Sequence, residues 1–151
     1  MNKPNQLRDL LNSAVPHIRE NPERLHIFVE NGNIVATGVK KNLSFEYQFQ
    51  CIIVITDYAA HADTVIVPIL GWLALHQPEL LNNPDKRESG FKFRAELLNH
   101  SSCDLEIKLA LTERVKVTRT DAGLHIEHLP EPQWDDGSSV EWVLSAGGDA
   151  A

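Results

Sequence analysis

A chain of 151 residues with 42% hydrophobic and 23% charged residues has the length and composition of one soluble globular domain with a real core. Its net charge of −7 is unevenly placed: all 14 Lys and Arg, but only 14 of the 21 Asp and Glu, precede residue 120. The body is therefore neutral and carries no basic stripe, which argues against nucleic-acid binding by phosphate neutralisation.

No apolar segment follows residues 1–6, so neither a secretory signal nor export is expected. Leu7, Leu10, Leu11, Ala14, Val15 and Ile18 keep the helical period and predict an amphipathic helix over residues 5–21, kinked or shortened by Pro16. Asn21-Pro22 ends it, because the residue before a proline avoids the helical region. Residues 25–29, the turn signal Asn31-Gly32-Asn33 and residues 34–39 read as a β-hairpin, with Gly32 supplying a positive φ. Residues 43–56 make the strongest strand. Phe45, Tyr47, Phe49, Cys51, Ile53 and Ile55 share one face, and from Cys51 onward both faces are apolar, as in a central strand.

Residues 63–78 hold the longest apolar run in the chain. Asp63 reads as a helix N-cap, Pro68 sits about one turn inside, and Pro78 is the stop. Ile66, Ile69, Leu70 and Leu73 make one face, while Val65, Pro68, Trp72 and Leu75 continue around the side. A helix apolar nearly all round has to be covered on more than one side. It is too short to cross a bilayer, which takes roughly twenty apolar residues, so no membrane is implied. Trp72 reads first as core filler and second as an interface anchor.

A polar loop is expected over residues 82–90, a strand over 91–97 and a turn over 99–102. Residues 103–112 then alternate cleanly, with Cys103, Leu105, Ile107, Leu109 and Leu111 inward. Glu113-Arg114 reads as a solvated strand end, or as a polar contact between subunits. Residues 115–119 and 124–129, joined by Asp121-Ala122-Gly123, predict a second hairpin. This order gives an α+β domain over residues 1–129, a mostly antiparallel sheet packed against two helices. Residues 130–151 are acidic and rich in Pro, Gly and Ser, and read as a flexible C-terminal segment interrupted by Val140, Trp142, Val143 and Leu144.

Few side chains suggest chemistry. Asp57, His61 and Asp63 fall between a buried strand end and a helix start, three potential ligands for a divalent ion. The bland reading is a turn residue, an exposed histidine and a cap. His125 and His128 stand three apart on a strand and so face opposite ways, which prevents them from sharing an ion. Cys51 and Cys103 have neither metal spacing nor a disulfide framework, and read as reduced, buried thiols of a cytosolic protein. No serine or cysteine stands in a nucleophile motif, and no glycine-rich loop could cradle a phosphate.

Several segments in order nevertheless carry a resemblance. They are Lys3-Pro4 with Leu7-Arg8, the run from Asn21-Pro22 to Asn31-Gly32, Leu43-Ser44-Phe45-Glu46 and Ile53-Val54-Ile55-Thr56-Asp57. Ile66-Val67-Pro68-Ile69-Leu70-Gly71-Trp72-Leu73, Leu109-Ala110-Leu111-Thr112-Glu113-Arg114-Val115 and Leu124-His125-Ile126 complete the set. Over residues 3–135 the sequence resembles the tail completion protein R family of P2-like contractile-tailed phages and prophages. The resemblance implies a tail-terminator-like single domain, a structural protein of the virion tail present in the host cytoplasm during assembly. Such a protein assembles into a homo-oligomeric ring, often a hexamer, on tail tube and sheath proteins, and presents a surface to head–tail connector proteins. It implies no catalytic residue, cofactor or metal. Trp72, Glu113 and Arg114 are the interface candidates. The alternative is a small cytosolic metal-dependent enzyme using Asp57, His61 and Asp63.

Overall fold

The computed structural model describes residues 1–36, 38, 41–98 and 101–132. Two helices open the chain, α1 (Lys3–Ala14) and α2 (Pro16–Glu20). One helix was expected here. The break falls at Val15, whose backbone is extended (φ −116°, ψ 106°) because Pro16 excludes the helical conformation from the residue before it. Leu7 and Leu11 of α1 and Ile18 of α2 face inward and are fully buried. A single 3-10 turn, Pro22–Arg24, leads into the sheet.

The sheet comprises β1 (Leu25–Ala36), β2 (Phe45–Tyr58), β3 (Phe91–Leu97), β4 (Cys103–Thr120) and β5 (Gly123–Leu129). Its order is β1-β2-β4-β3, with β5 also on β4, and every pairing is antiparallel. The α+β class and the antiparallel sheet follow the sequence reading, and the domain is a single small one. One hairpin differs. Asn31-Gly32-Asn33 is not a turn: β1 runs straight through it, with a register break between Glu30 and Asn33. Asn31, not Gly32, takes the positive φ, 53°, which asparagine tolerates. β4 is also unbroken, so Glu113-Arg114 lies mid-strand and not at an exposed end.

Between β2 and β3 come α3 (Asp63–His76), α4 (Pro78–Asn82) and α5 (Pro84–Arg87), of which α5 falls within the loop expected over residues 82–90 and α4 in the stretch just before it. Asp63 does not cap α3: Ala62 holds that position and no side-chain cap bond forms. Instead the Thr64 hydroxyl bonds the His61 carbonyl at 2.6 Å and the Tyr58 hydroxyl. Val65, Pro68, Ile69, Trp72 and Leu73 are buried, whereas Leu70, read on one face with Ile66, Ile69 and Leu73, is exposed beside Val67. The helices lie on one face of the sheet, over Cys51, Ile53 and Ile55 of β2 and Leu105, Ile107 and Leu109 of β4. Residues 133–151, most of the segment expected to be a flexible tail, lie outside the described residues.

Two glycines separate this fold from the sequence reading. A Cβ on Gly90 would stand 2.7 Å from the Lys86 carbonyl and collide with the Leu80 side chain, whereas one on Gly32 would meet nothing within 4 Å. Gly90→Ala is expected to lower stability by about 1–3 kcal/mol through overpacking, and Gly32→Ala to stay within about 0.5 kcal/mol of the parent. Urea denaturation of the two variants side by side checks the ranking.

Candidate functional site

The least ordinary stretch of the fold is the outer edge of β4. β2 covers one side of β4 from Cys103 to Val115. On the other side β3 pairs with residues 103–109 and β5 with residues 114–120, leaving a gap between them. Buried backbone groups in such a gap still need partners. The Ala110 amide donates to the Gly90 carbonyl at 2.9 Å. The Thr112 amide donates to Oε1 of Gln77 at 3.1 Å, and the Thr112 carbonyl accepts from Nζ of Lys3 at 2.5 Å. Two side chains thus stand where a strand would have placed a carbonyl and an amide.

These two side chains are tied to each other. Lys3 Nζ donates to Gln77 Oε1 at 2.7 Å and to Glu131 Oε1 at 3.1 Å. Gln77 Nε2 donates to the Thr112 hydroxyl at 3.0 Å and to Glu79 at 3.3 Å. Gln77, between α3 and α4, is 1% exposed. Burial pulls the pKa of Lys3 below its ordinary 10.5, while Glu131 first, then Glu113 and Glu79, act in the opposite sense.

Glu113 neighbours this plug and is only 4% exposed. Its Oε1 accepts the backbone amides of Asn2 at 2.7 Å and Lys3 at 2.6 Å. α1 has no side-chain cap of its own, so a carboxylate from mid-β4 caps it, satisfying free amides and meeting the positive end of the helix dipole. The second oxygen, Oε2, has no hydrogen-bond partner and lies 4.0 Å from Nδ1 of His128. His128 stacks on Tyr47. A cavity of about 250 Å³ opens here, walled by α1's first turn, His76, Glu113, His128 and Glu131.

Of the residues singled out from sequence, Trp72 is buried on α3, stacked on His76 with ring centroids 4.9 Å apart. Arg114 is half-buried on the opposite face of β4 from Glu113, and its Nη2 donates to the Pro130 carbonyl at 3.1 Å. With Lys3–Glu131 this bond fastens the chain just beyond β5. Lys3 enters the sequence reading only through the family resemblance, and neither it nor Gln77 is read there as a site residue. A lysine directly before Pro4 reads as an exposed first turn until β4 is laid beside it.

The arrangement fastens the fold. Lys3 is committed to three acceptors, and Glu113 to a helix end. Asp57, His61 and Asp63 do not converge: among the described residues no three His, Cys, Asp or Glu side chains gather as a metal site requires. Asp57 is not a turn residue but lies inside β2 at a register break against β4, with φ 52°, and its carboxylate lies 3.4 Å from Arg24. Cys51 and Cys103 are free thiols, and burial pushes that of Cys51 up to about 12. Among the described residues no helix is long and apolar enough to cross a membrane.

The geometry defines a tightly fastened domain, and comparison with known proteins supplies the context. A family model described as P2 phage tail completion protein R (GpR) matches residues 1–132. The chain belongs to that family. It is 40% identical over 132 residues to the tail completion protein R of Escherichia phage P2, covering 87% of this chain and 84% of that protein. No solved structure matches. The protein is thus a structural protein of the phage tail, and both Lys3 and Glu113 lie within the matched span.

Two outcomes test the plug. Lys3→Met removes the ammonium from three acceptors, of which Gln77 Oε1 keeps the Thr112 amide, and is expected to cost roughly 1–3 kcal/mol, read from urea denaturation. His76 gives the pH dependence. Its pKa lies below the ordinary 6.5 because of burial and then the Lys3 charge. The unfolded chain therefore takes up this proton first as pH falls, so the stability is complete above pH 6.5 and lost as pH drops through the folded value. Melting temperatures between pH 7.5 and 5 should fall less steeply in His76→Gln.

Proposed function

We propose that this protein completes the tail at its head-proximal end, by stoichiometric assembly into a ring on the tail tube that ends tube and sheath growth and prepares the tail for head joining. The family match over residues 1–132 carries this reading. The surface supports it. Ile34, Phe93, Leu97, Leu124 and Ile126 of the sheet and Val67 and Leu70 of α3 are all exposed, more large apolar side chains than a solitary small domain needs to display. A ring of identical subunits uses two different patches on each, which accounts for their spread.

The three interface candidates take unequal parts in this reading. Arg114, half-exposed, is the one able to reach a neighbouring subunit or a tail protein. Trp72 and Glu113 act from beneath, by fixing α3 and α1 against the sheet on which the contact surface is built. The partners are then further copies of this chain, the tube and sheath proteins of the tail, and connector proteins of the head, with assembly taking place in the host cytoplasm.

Light scattering coupled to size-exclusion chromatography at rising concentration, alone and with purified tail tubes, is the test. The expected result is a concentration-dependent closed oligomer, or its formation on tubes. A strict monomer that also fails to bind tubes overturns the reading. Arg114→Gln, which avoids setting a second acid opposite Glu46, should weaken that assembly at least tenfold while costing only the bond to Pro130 in stability.

A further inference from the structure

The order β1-β2-β4-β3 leaves β1 and β3 as edges, with no further strand on either among the described residues. Because each pairing in that path is antiparallel, β1 and β3 run in opposite directions. A β1 laid beside the β3 of another copy therefore continues the antiparallel alternation and uses a different edge of each copy.

We infer that copies of this protein join by this strand addition, β3 of one pairing with residues 25–30 of the next, with Lys92 opposite Glu30, Phe93 opposite Val29 and Leu97 opposite Leu25. This rests on the proposed self-assembly and names the surface that carries it.

The faces match first. Pairing with Ile107 and Cys103 places Phe93 and Leu97 on the helix-covered face of the sheet, and Lys92, Arg94 and Glu96 on the other. On β1, Leu25, Ile27 and Val29 share the covered face, while His26, Phe28 and Glu30 lie opposite. The helices stop short of β3, so Phe93 is 68% exposed and Leu97 81%. Charges on an edge strand often guard it against pairing. A guarded edge does not also bare two large apolar side chains on the face that is covered elsewhere.

Charge selects the register. Lys92 stands directly opposite Lys108, a like-charge pair only partly offset by Glu106 at 3.7 Å and Glu30 at 4.0 Å from Lys108 Nζ, so that Glu30 would be shared between Lys108 and a neighbour's Lys92. The stated register sets a neighbour's Glu30 beside Lys92, its Phe28 beside Arg94 and its His26 beside Glu96. These are an ion pair, a cation–π contact and a further polar pair. The length also fits. β1 pairs regularly with β2 up to Glu30, and its register break comes immediately after, where β3 ends. Pairing β3 with a second β3 in full overlap would set Arg94 against itself, close at two copies and leave β1 bare.

The test uses the full chain, alone and on purified tail tubes. Phe93→Asp and Leu97→Asp, both at exposed positions, should keep the parent melting temperature and weaken self-association at least tenfold. Independently, Phe28→Cys combined with Arg94→Cys should give disulfide ladders under mild oxidation, while Arg94→Cys alone gives none. If the parent assembles and both Asp variants assemble equally well, or Arg94→Cys alone yields dimers, the strand pairing is overturned and the ring reading survives. If the Asp variants lose only binding to tubes, the edge belongs to the tube protein and the pairing is again overturned. If the parent never self-associates, even on tubes, both fall.

Discussion

Between Leu109, where β3 leaves β4, and Arg114, where β5 begins, the backbone of β4 must be satisfied by something other than a strand. Lys3 and Gln77 do this for Thr112, one as donor and the other as acceptor. An unpaired buried amide or carbonyl costs about 1–3 kcal/mol, a large fraction of a small domain's stability. The residues that fill the gap come from the start of α1 and the junction of α3 and α4, and Glu131 beyond β5 closes over them. One short edge thereby fixes where the helical layer sits and where the chain end goes.

That placement has consequences for the surface. With α1 held at its N-terminus by Glu113, the helices cover the middle of the sheet, over β2 and the first half of β4. The sheet outlasts them on both sides. Phe93 and Leu97 on β3, and Ile34, Leu124 and Ile126 on the far arms, stay uncovered. Lys3, Gln77 and Glu113 are taken up in fastening the fold. What remains available to the outside is shape, open strand edge and apolar surface, the resources of a protein that works by assembly.

Most of this architecture was legible in the sequence, because period and alternation are local signals. The alternation from Phe45 to Ile55 and from Cys103 to Leu111 foretold the two central strands, and their pairing puts Ile53 beside Ile107 in the core. The failures have a common cause. Asn31-Gly32-Asn33 has turn chemistry, yet long-range pairing with β2 on either side absorbs it as a bulge. Asp63 is a good cap by composition, but the helix starts one residue earlier than a cap there requires. Glu113 reads as a strand end because a charge breaks the alternation. It is tolerated there only because a helix end more than a hundred residues away in sequence meets it. The site was therefore far less legible than the fold: its members, Lys3, Gln77, Thr112 and Glu113, are spread over the whole chain and share no motif.

Amide hydrogen exchange at Thr112 addresses the substituted strand most directly. If Lys3 and Gln77 close the gap in β4, this amide exchanges as slowly as the ladder-bonded amides of Ile107 and Leu109 in the parent, and at least a hundredfold faster in Gln77→Ala. Exchange in the parent at the rate of an open edge amide would contradict the account, because β4 would then be complete without the side chains assigned to it.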